Sequence, residues 1–209
     1  MLAAAIGLAL HVVAYSYANH FPHGEVRQLS MTFVDRAVPF APWTVFIYVS
    51  DYVLVIFAFF LCRSRESAVR FFCAQMGVMA FATLIHWTVP IAFPRELYPL
   101  PADLSLLPAL AMKLVRGFDA ATSCMPSLHV ADSVLAPLLI RRERPKAFPW
   151  LLGWAAAIAV STLTTKQHYL LDVVAGVALA MVAARIADWS AAPRDREAID
   201  YASREADQR

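Results

Sequence analysis

Two histidines stand where their types and spacing could do chemistry together. His129 closes the stretch Met125-Pro126-Ser127-Leu128-His129, and His168 opens His168-Tyr169-Leu170-Leu171-Asp172. Asp172 follows His168 by one helical turn, so both side chains project from one helix face. A neutral imidazole attacks or takes a proton well at one nitrogen when an acceptor holds the other, and a carboxylate one turn on supplies that acceptor. The plain alternative is a pair of histidines capping helix ends. Apolar surroundings weigh against it, because ionisable groups at membrane helices are costly and usually functional.

Two histidines, one carboxylate and scattered cations, without an acidic cluster to hold a divalent metal, fit transfer of an anionic group, with phosphoryl transfer the natural candidate. His168 would attack phosphorus, Asp172 would orient it, and His129 would protonate the leaving oxygen and then activate water or an alcohol. Arg95, Lys113, Arg116 and Lys166 are the candidate holders of the non-bridging oxygens. Ser127 sits near the free amides of a helix start, where an anion is welcome. This chemistry calls for no metal and no cofactor. Cys62, Cys73 and Cys124 lack metal-ligand or redox spacing, and Cys124 reads as a spectator thiol beside the first motif.

The elements that must position these residues are apolar. The chain has 209 residues, of which 60% are hydrophobic and 16% charged, with a net charge of +2. A soluble domain of this length could not hide so much apolar surface. The near-neutral charge gives no nucleic-acid signal. The apolar runs have bilayer-crossing length, so the expected fold class is all-α: a polytopic membrane protein with six transmembrane helices. The expected domain covers 1–189, followed by a charged, cytoplasmic and mobile tail at 190–209. The spans are expected at about 2–19, 43–62, 68–89, 126–140, 148–164 and 168–189.

Between the first two spans, Val26, Leu29, Phe33, Val34 and Val38 repeat at helical spacing, as in a helix lying flat at the interface. Between spans three and four runs a long proline-rich connection, 90–124, in which Asp103 is placed to cap a short interfacial helix carrying Leu104, Leu107, Ala111, Leu114 and Phe118. His86 reads as an interface anchor and His11 as a packed or headgroup residue. Asp51 and Asp132 have no assigned role; pairing with another span and tuning of His129 both stand open for Asp132. Gly176, Ala180 and Ala184 place small residues four apart, a close-contact face.

Arg63, Arg65 and Arg70 follow span two, and Arg141, Arg142, Arg144 and Lys146 follow span four. These short basic loops place the termini in the cytoplasm. His129 and His168 then fall together at the outer face with the candidate cations. A site at lipid level suggests a lipid phosphate as substrate and membrane lipids as partners; the compact, alanine-rich chain suggests a bacterial inner membrane with the site facing the periplasm.

Residues 125–131, MPSLHVA, with residues 161–176, STLTTKQHYLLDVVAG, resemble the second and third signature motifs of the type-2 phosphatidic acid phosphatase superfamily. The resemblance implies a metal-independent reaction through phosphohistidine, with His129 as acid and base, His168 as nucleophile, Asp172 as its orienting partner and Ser127 holding phosphate. Leu128 stands where the commonest version has glycine, and Thr162 where it has an arginine clamp; Lys166 is the candidate substitute. The first motif is not matched cleanly, and the stretch 89–95 resembles its proline-arginine version, which selects Arg95. These departures are similar to the branch containing inositol phosphorylceramide synthases, which pass a phospho-headgroup to a lipid alcohol. A lipid phosphatase, such a transferase and a non-catalytic membrane protein with a degenerate site are therefore the readings to separate. The lipid itself and the oligomeric state are left open.

Overall fold

The computed structural model describes residues 2–207, with the side chains of 2–8, 11 and 191–207 outside that description. The expected roles of His11 and of the charged tail fall on these side chains. Helix dominates: α1 (Leu2–His20), α2 (Phe33–Ala37), α3 (Val45–Tyr48), α4 (Asp51–Phe60), α5 (Arg65–Thr88), α6 (Leu106–Phe118), α7 (Leu128–Ile140), α8 (Phe148–Thr164) and α9 (Leu170–Asp207). Among the described residues, three helical stretches are long and apolar enough to cross a membrane: Pro42–Phe60, Arg65–Thr88 and Leu170–Ser190; Leu128–Ile140 and Phe148–Thr164 are shorter apolar helices.

α7 is the axis of the molecule. Ten of its residues are buried, Ser133 among them, and it contacts α4, α5, α8 and α9. A helix apolar on all sides is stable only when other helices surround it. Its start is fastened to α9 by the Ser127 amide, which donates to the Asp172 carbonyl at 3.1 Å. Beside that bond Gly176 leaves room for no side chain: a Cβ there would lie 2.7 Å from the Ser127 oxygen. Ala180 and Ala184 on the same α9 face are buried, as the small-residue spacing requires.

The stretch 26–38 is not one helix. Arg27–Gln28 forms β1, which pairs in parallel with β2 (Ile91–Ala92), and only Phe33–Ala37 is helical, closed by a Thr32–Asp35 capping box. The apolar spacing there alternates between a strand and one helical turn, so periodicity over the whole stretch was misleading. The β1–β2 pair and an isolated bridge from Ile91 to Ser123 tie the 90–124 connection beneath the first motif. Within that connection the helix starts later than Asp103 predicts: its N-cap is Ser105, whose side chain makes no capping bond. Leu106, Leu107, Leu114 and Phe118 on α6 are all exposed.

Lys166 follows the last turn of α8 with φ of 55°, the left-handed conformation that glycine usually takes there. Its ammonium explains the exception. Nζ is buried, donates to the carbonyls of Asp35 (2.7 Å) and Val38 (2.6 Å), and lies 4.9 Å from the Tyr98 ring centroid. Burial lowers its pKa and the Asp35 carboxylate partly offsets this. Lys166→Met leaves both carbonyls without a donor, so it is expected to cost about 3 kcal/mol and roughly 10 °C in Tm for a chain of this size. Thermal unfolding in detergent measures the loss, and an unchanged Tm would contradict it.

Candidate active site

α9 begins at Leu170, so Asp172 falls in its first turn. One oxygen, Oδ2, accepts the Tyr169 amide at 2.8 Å, the return half of a capping box. The same Oδ2 lies 3.4 Å from His168 Nδ1, and Nδ1 also meets the Cys124 carbonyl at 3.0 Å. The imidazole is thus gripped at Nδ1 between a carboxylate and a carbonyl. Its other nitrogen, Nε2, is buried without a hydrogen-bond partner, as is Asp172 Oδ1. This is the arrangement a nitrogen nucleophile needs: Nδ1–H fixed as donor, Nε2 lone pair unspent.

His129 lies in the first turn of α7, its ring centroid 6.3 Å from that of His168. Two imidazoles this close can both act on one small group bound beside them. The ring stacks on Tyr48 at 4.1 Å between centroids, with Nδ1 3.1 Å from the Tyr48 hydroxyl and Nε2 3.9 Å from Asp51 Oδ2. Asp51 thus acquires a place beside His129 in the first turn of α4. Asp132 does not take that place: among the described residues its carboxylate makes no bond to His129, Oδ1 is unpartnered, and its backbone carbonyl accepts from the Gln75 side chain.

Ser127 is fully buried and its hydroxyl has no partner, an open donor at the N-terminus of α7. His86 is not an interface anchor. It is buried, and its Nε2 lies 2.9 Å from the Pro126 carbonyl, so it braces the turn that presents Ser127. A histidine late in an apolar helix carried no signal for this role, because its partner is a backbone oxygen distant in sequence.

The four candidate cations separate. Arg95 reaches Asp119 twice, donating to its carbonyl at 2.5 Å and pairing with its carboxylate at 3.7 Å, while its Nε stays unpartnered. Asp119, unmarked by any motif, also accepts from Tyr15 at 2.6 Å, Asn19 at 3.3 Å and Tyr48 at 3.5 Å. Arg95 therefore joins the His129 side of the site through Asp119 and Tyr48. Arg116 donates to the Tyr98 carbonyl at 3.0 Å and covers the Phe40 ring; burial, then Arg95, lowers its pKa. Lys113 is exposed. Lys166 is held at α2, and the hydroxyl of Thr162, in the place of the clamp arginine, donates back to the Ala159 carbonyl of α8.

Cys124, His168 and Asp172 place one ligand atom each within 4.8 Å of one another. The thiol donates to the carbonyls of Ala121 and Gln167, and burial, reinforced by Asp172, pushes its pKa up. A proton held on sulfur and an imidazole nitrogen already between two oxygens fit an oriented nucleophile better than a cation site.

A family model described as the PAP2 superfamily matches residues 16–186. Comparison with curated proteins and with solved structures gave no match.

Proposed function

This chain belongs to the PAP2 superfamily, whose members are phosphatases or phosphotransferases, and from that premise we propose that it is an integral-membrane lipid phosphatase working through a phosphohistidine. One observation carries the reading: His168 is gripped at Nδ1 and unpartnered at Nε2, with a second imidazole 6.3 Å away.

The steps follow from that geometry. The His168 Nε2 lone pair forms the N–P bond as the P–O bond to the lipid breaks, and His129 gives its proton to the departing oxygen. Asp172 stabilises the positive charge that grows on His168. Water then attacks phosphorus, gives its proton to His129, and the P–N bond breaks to release phosphate. Ser127 and the α7 amides donate to the non-bridging oxygens, and Arg95 turns its free Nε to the same charge. No step requires a metal or a cofactor.

Three helices of spanning length and the family are consistent with an integral membrane protein. We take α1, the two shorter apolar helices and these three as six spans, with the termini cytoplasmic and the site facing outward, in a bacterial inner membrane. The exposed apolar face of α6 suits an interfacial helix. The lipid half of the proposal rests on a groove of about 1490 Å³ between α5 and α9, whose lining includes Arg65, Gly77, Ala175, Ala183, Met125 and Pro126. Arg65 and Ile85, which also line it, stand about 30 Å apart on α5 at ~1.5 Å per residue, close to the thickness of a bilayer core. A lipid tail in the groove would lead to the turn that carries Ser127.

The purified chain in detergent, without divalent metal, is offered a panel of lipid phosphates with and without a diacylglycerol or ceramide acceptor, and free phosphate and new phospholipid are both read. Free phosphate from the wild type supports the phosphatase. A new phospholipid in place of free phosphate replaces it with headgroup transfer, and neither product sinks both. A Cβ at Gly77 would meet nothing within 4 Å, so Gly77→Trp fills the groove without distorting α5. KM for long-chain lipid phosphates is expected to rise tenfold or more, about 1.4 kcal/mol, with a short-chain soluble phosphate unaffected. Equal effects on both substrates would remove the groove from the reading.

A further inference from the structure

His168 has a carboxylate directly on its far nitrogen, whereas His129 has a tyrosine there. Tyr48 Oη lies 3.1 Å from His129 Nδ1 and 3.5 Å from Asp119 Oδ2. A hydroxyl has one proton to give, so its direction sets the tautomer of His129. The surroundings of Asp119 decide it. Tyr15 and Asn19 from α1 donate to its Oδ1, and the Arg95 guanidinium flanks its Oδ2 and binds its carbonyl. A carboxylate so surrounded by donors is left to accept rather than donate. The Tyr48 proton then belongs to Asp119, and the Tyr48 oxygen must receive a proton from His129 Nδ1.

We infer that Asp119 and Tyr48 are positioning residues that form a relay to His129, the counterpart of the direct Asp172–His168 pair, and fix its neutral ring with the proton on Nδ1. The inference rests on the phosphatase reading for its purpose. With Nδ1 protonated, neutral His129 keeps a lone pair at Nε2 and can take a proton from water. When Nε2 gains that proton, the imidazolium is flanked on both sides: by Asp119 through Tyr48 at Nδ1, and by Asp51 at 3.9 Å from Nε2. The relay transfers no group; Tyr48 keeps its proton, and only hydrogen-bond direction is set. The remaining groups facing the ring, Tyr52 at 5.9 Å and His168 at 6.3 Å between centroids, do not touch Nδ1 among the described contacts. Arg95 has a second part here. When it turns toward substrate phosphate, Asp119 loses a cation and draws more strongly on Tyr48, which favours the protonated ring just as a leaving oxygen arrives.

The tautomer can be read without turnover, by nitrogen NMR of the full-length protein labelled at histidine, with His129 assigned by the signal lost in His129→Gln. The wild type is expected to carry its neutral-ring proton on Nδ1. Tyr48→Phe keeps the stacked ring and removes the acceptor, so the proton is expected to move to Nε2, facing Asp51. Asp119→Asn is expected to shift the population the same way, because an amide can donate to Tyr48 and reverse its hydroxyl. A wild-type ring protonated on Nε2, or a tautomer unmoved by Tyr48→Phe, overturns the relay. In turnover, each variant is expected to lose roughly tenfold in kcat, and the double variant to lose no more than the worse single one; losses that multiply would likewise overturn it. His168-dependent phosphate release tests the phosphatase reading separately, so the failure of one does not imitate the failure of the other.

Discussion

His168→Ala is expected to lower phosphate release by a factor on the order of 10⁴ to 10⁶, the size of loss seen when a covalent nucleophile is removed. The substitution deletes the only group in the proposed mechanism that bonds to phosphorus, and the neighbouring donors cannot replace a bond. Asp172→Asn should lose less, roughly 10² to 10⁴. An amide oxygen still accepts the Tyr169 amide and keeps the α9 start intact, but it no longer carries the charge that balances a phosphorylated imidazole. The test is direct. Enzyme incubated with ³²P-labelled lipid phosphate and quenched in alkali retains label on histidine, because a phosphoramidate survives base and fails in acid. Wild type should carry it, Asp172→Asn should carry less or accumulate it more slowly, and His168→Ala should carry none. Label that persists in His168→Ala would mean another nucleophile, and undiminished turnover would remove His168 from the chemistry altogether.

The sequence exposed this half of the site and hid the other half for a physical reason. His168 and Asp172 lie one turn apart, so their partnership is local and written in spacing. Ser127 and His129 share a motif with a proline at a helix start, again local. By contrast, the groups that hold His129 come from α3, α4 and the end of the 90–124 connection, and Tyr48, Asp51 and Asp119 share no spacing with it. Asp51 stood out only because a carboxylate in an apolar run needs a partner; which partner is set by how α4 crosses α7. Lys166 misled for the same reason in reverse. It stands two residues before His168, yet the left-handed turn at its own backbone sends the ammonium to carbonyls of a segment more than a hundred residues earlier. Most helix starts were legible to within a few residues because hydropathy and capping are local properties, but the span expected at 43–62 is split into α3 and α4, and α9 runs on to Asp207, past the expected end at 189. The exception, 26–38, is a segment in which β1 forms only by meeting β2 on the other side of α5.

Gly176→Leu is expected to prevent stable folding, and Gly176→Ala to separate the two motifs that make the site. A Cβ at this position would lie 2.7 Å from the Ser127 carbonyl oxygen, 3.1 Å from Val130 Cβ and 3.3 Å from the Ala131 nitrogen. Two of these three are backbone atoms of α7, so no rotamer change relieves the contact, and α7 must move away from α9. That movement acts where the Ser127 amide reaches the Asp172 carbonyl, the bond that holds the turn proposed to bind phosphate against the His168–Asp172 pair. Overfilling a contact this tight costs about 1–3 kcal/mol for one methyl and more for an isobutyl group. A displacement near 1 Å between reacting groups can cost on the order of 10² in rate. For Gly176→Ala the expected result is therefore a lower Tm together with a fall in kcat of roughly that size. Gly153 on α8 supplies the control, since a Cβ there meets nothing within 4 Å and Gly153→Ala should leave both quantities unchanged. A Gly176→Ala protein with wild-type kcat and a lowered Tm would show that the site tolerates a looser α7–α9 contact. A loss of kcat at unchanged Tm would show the reverse, that α9 yields easily and the chemistry alone depends on how closely it lies against α7.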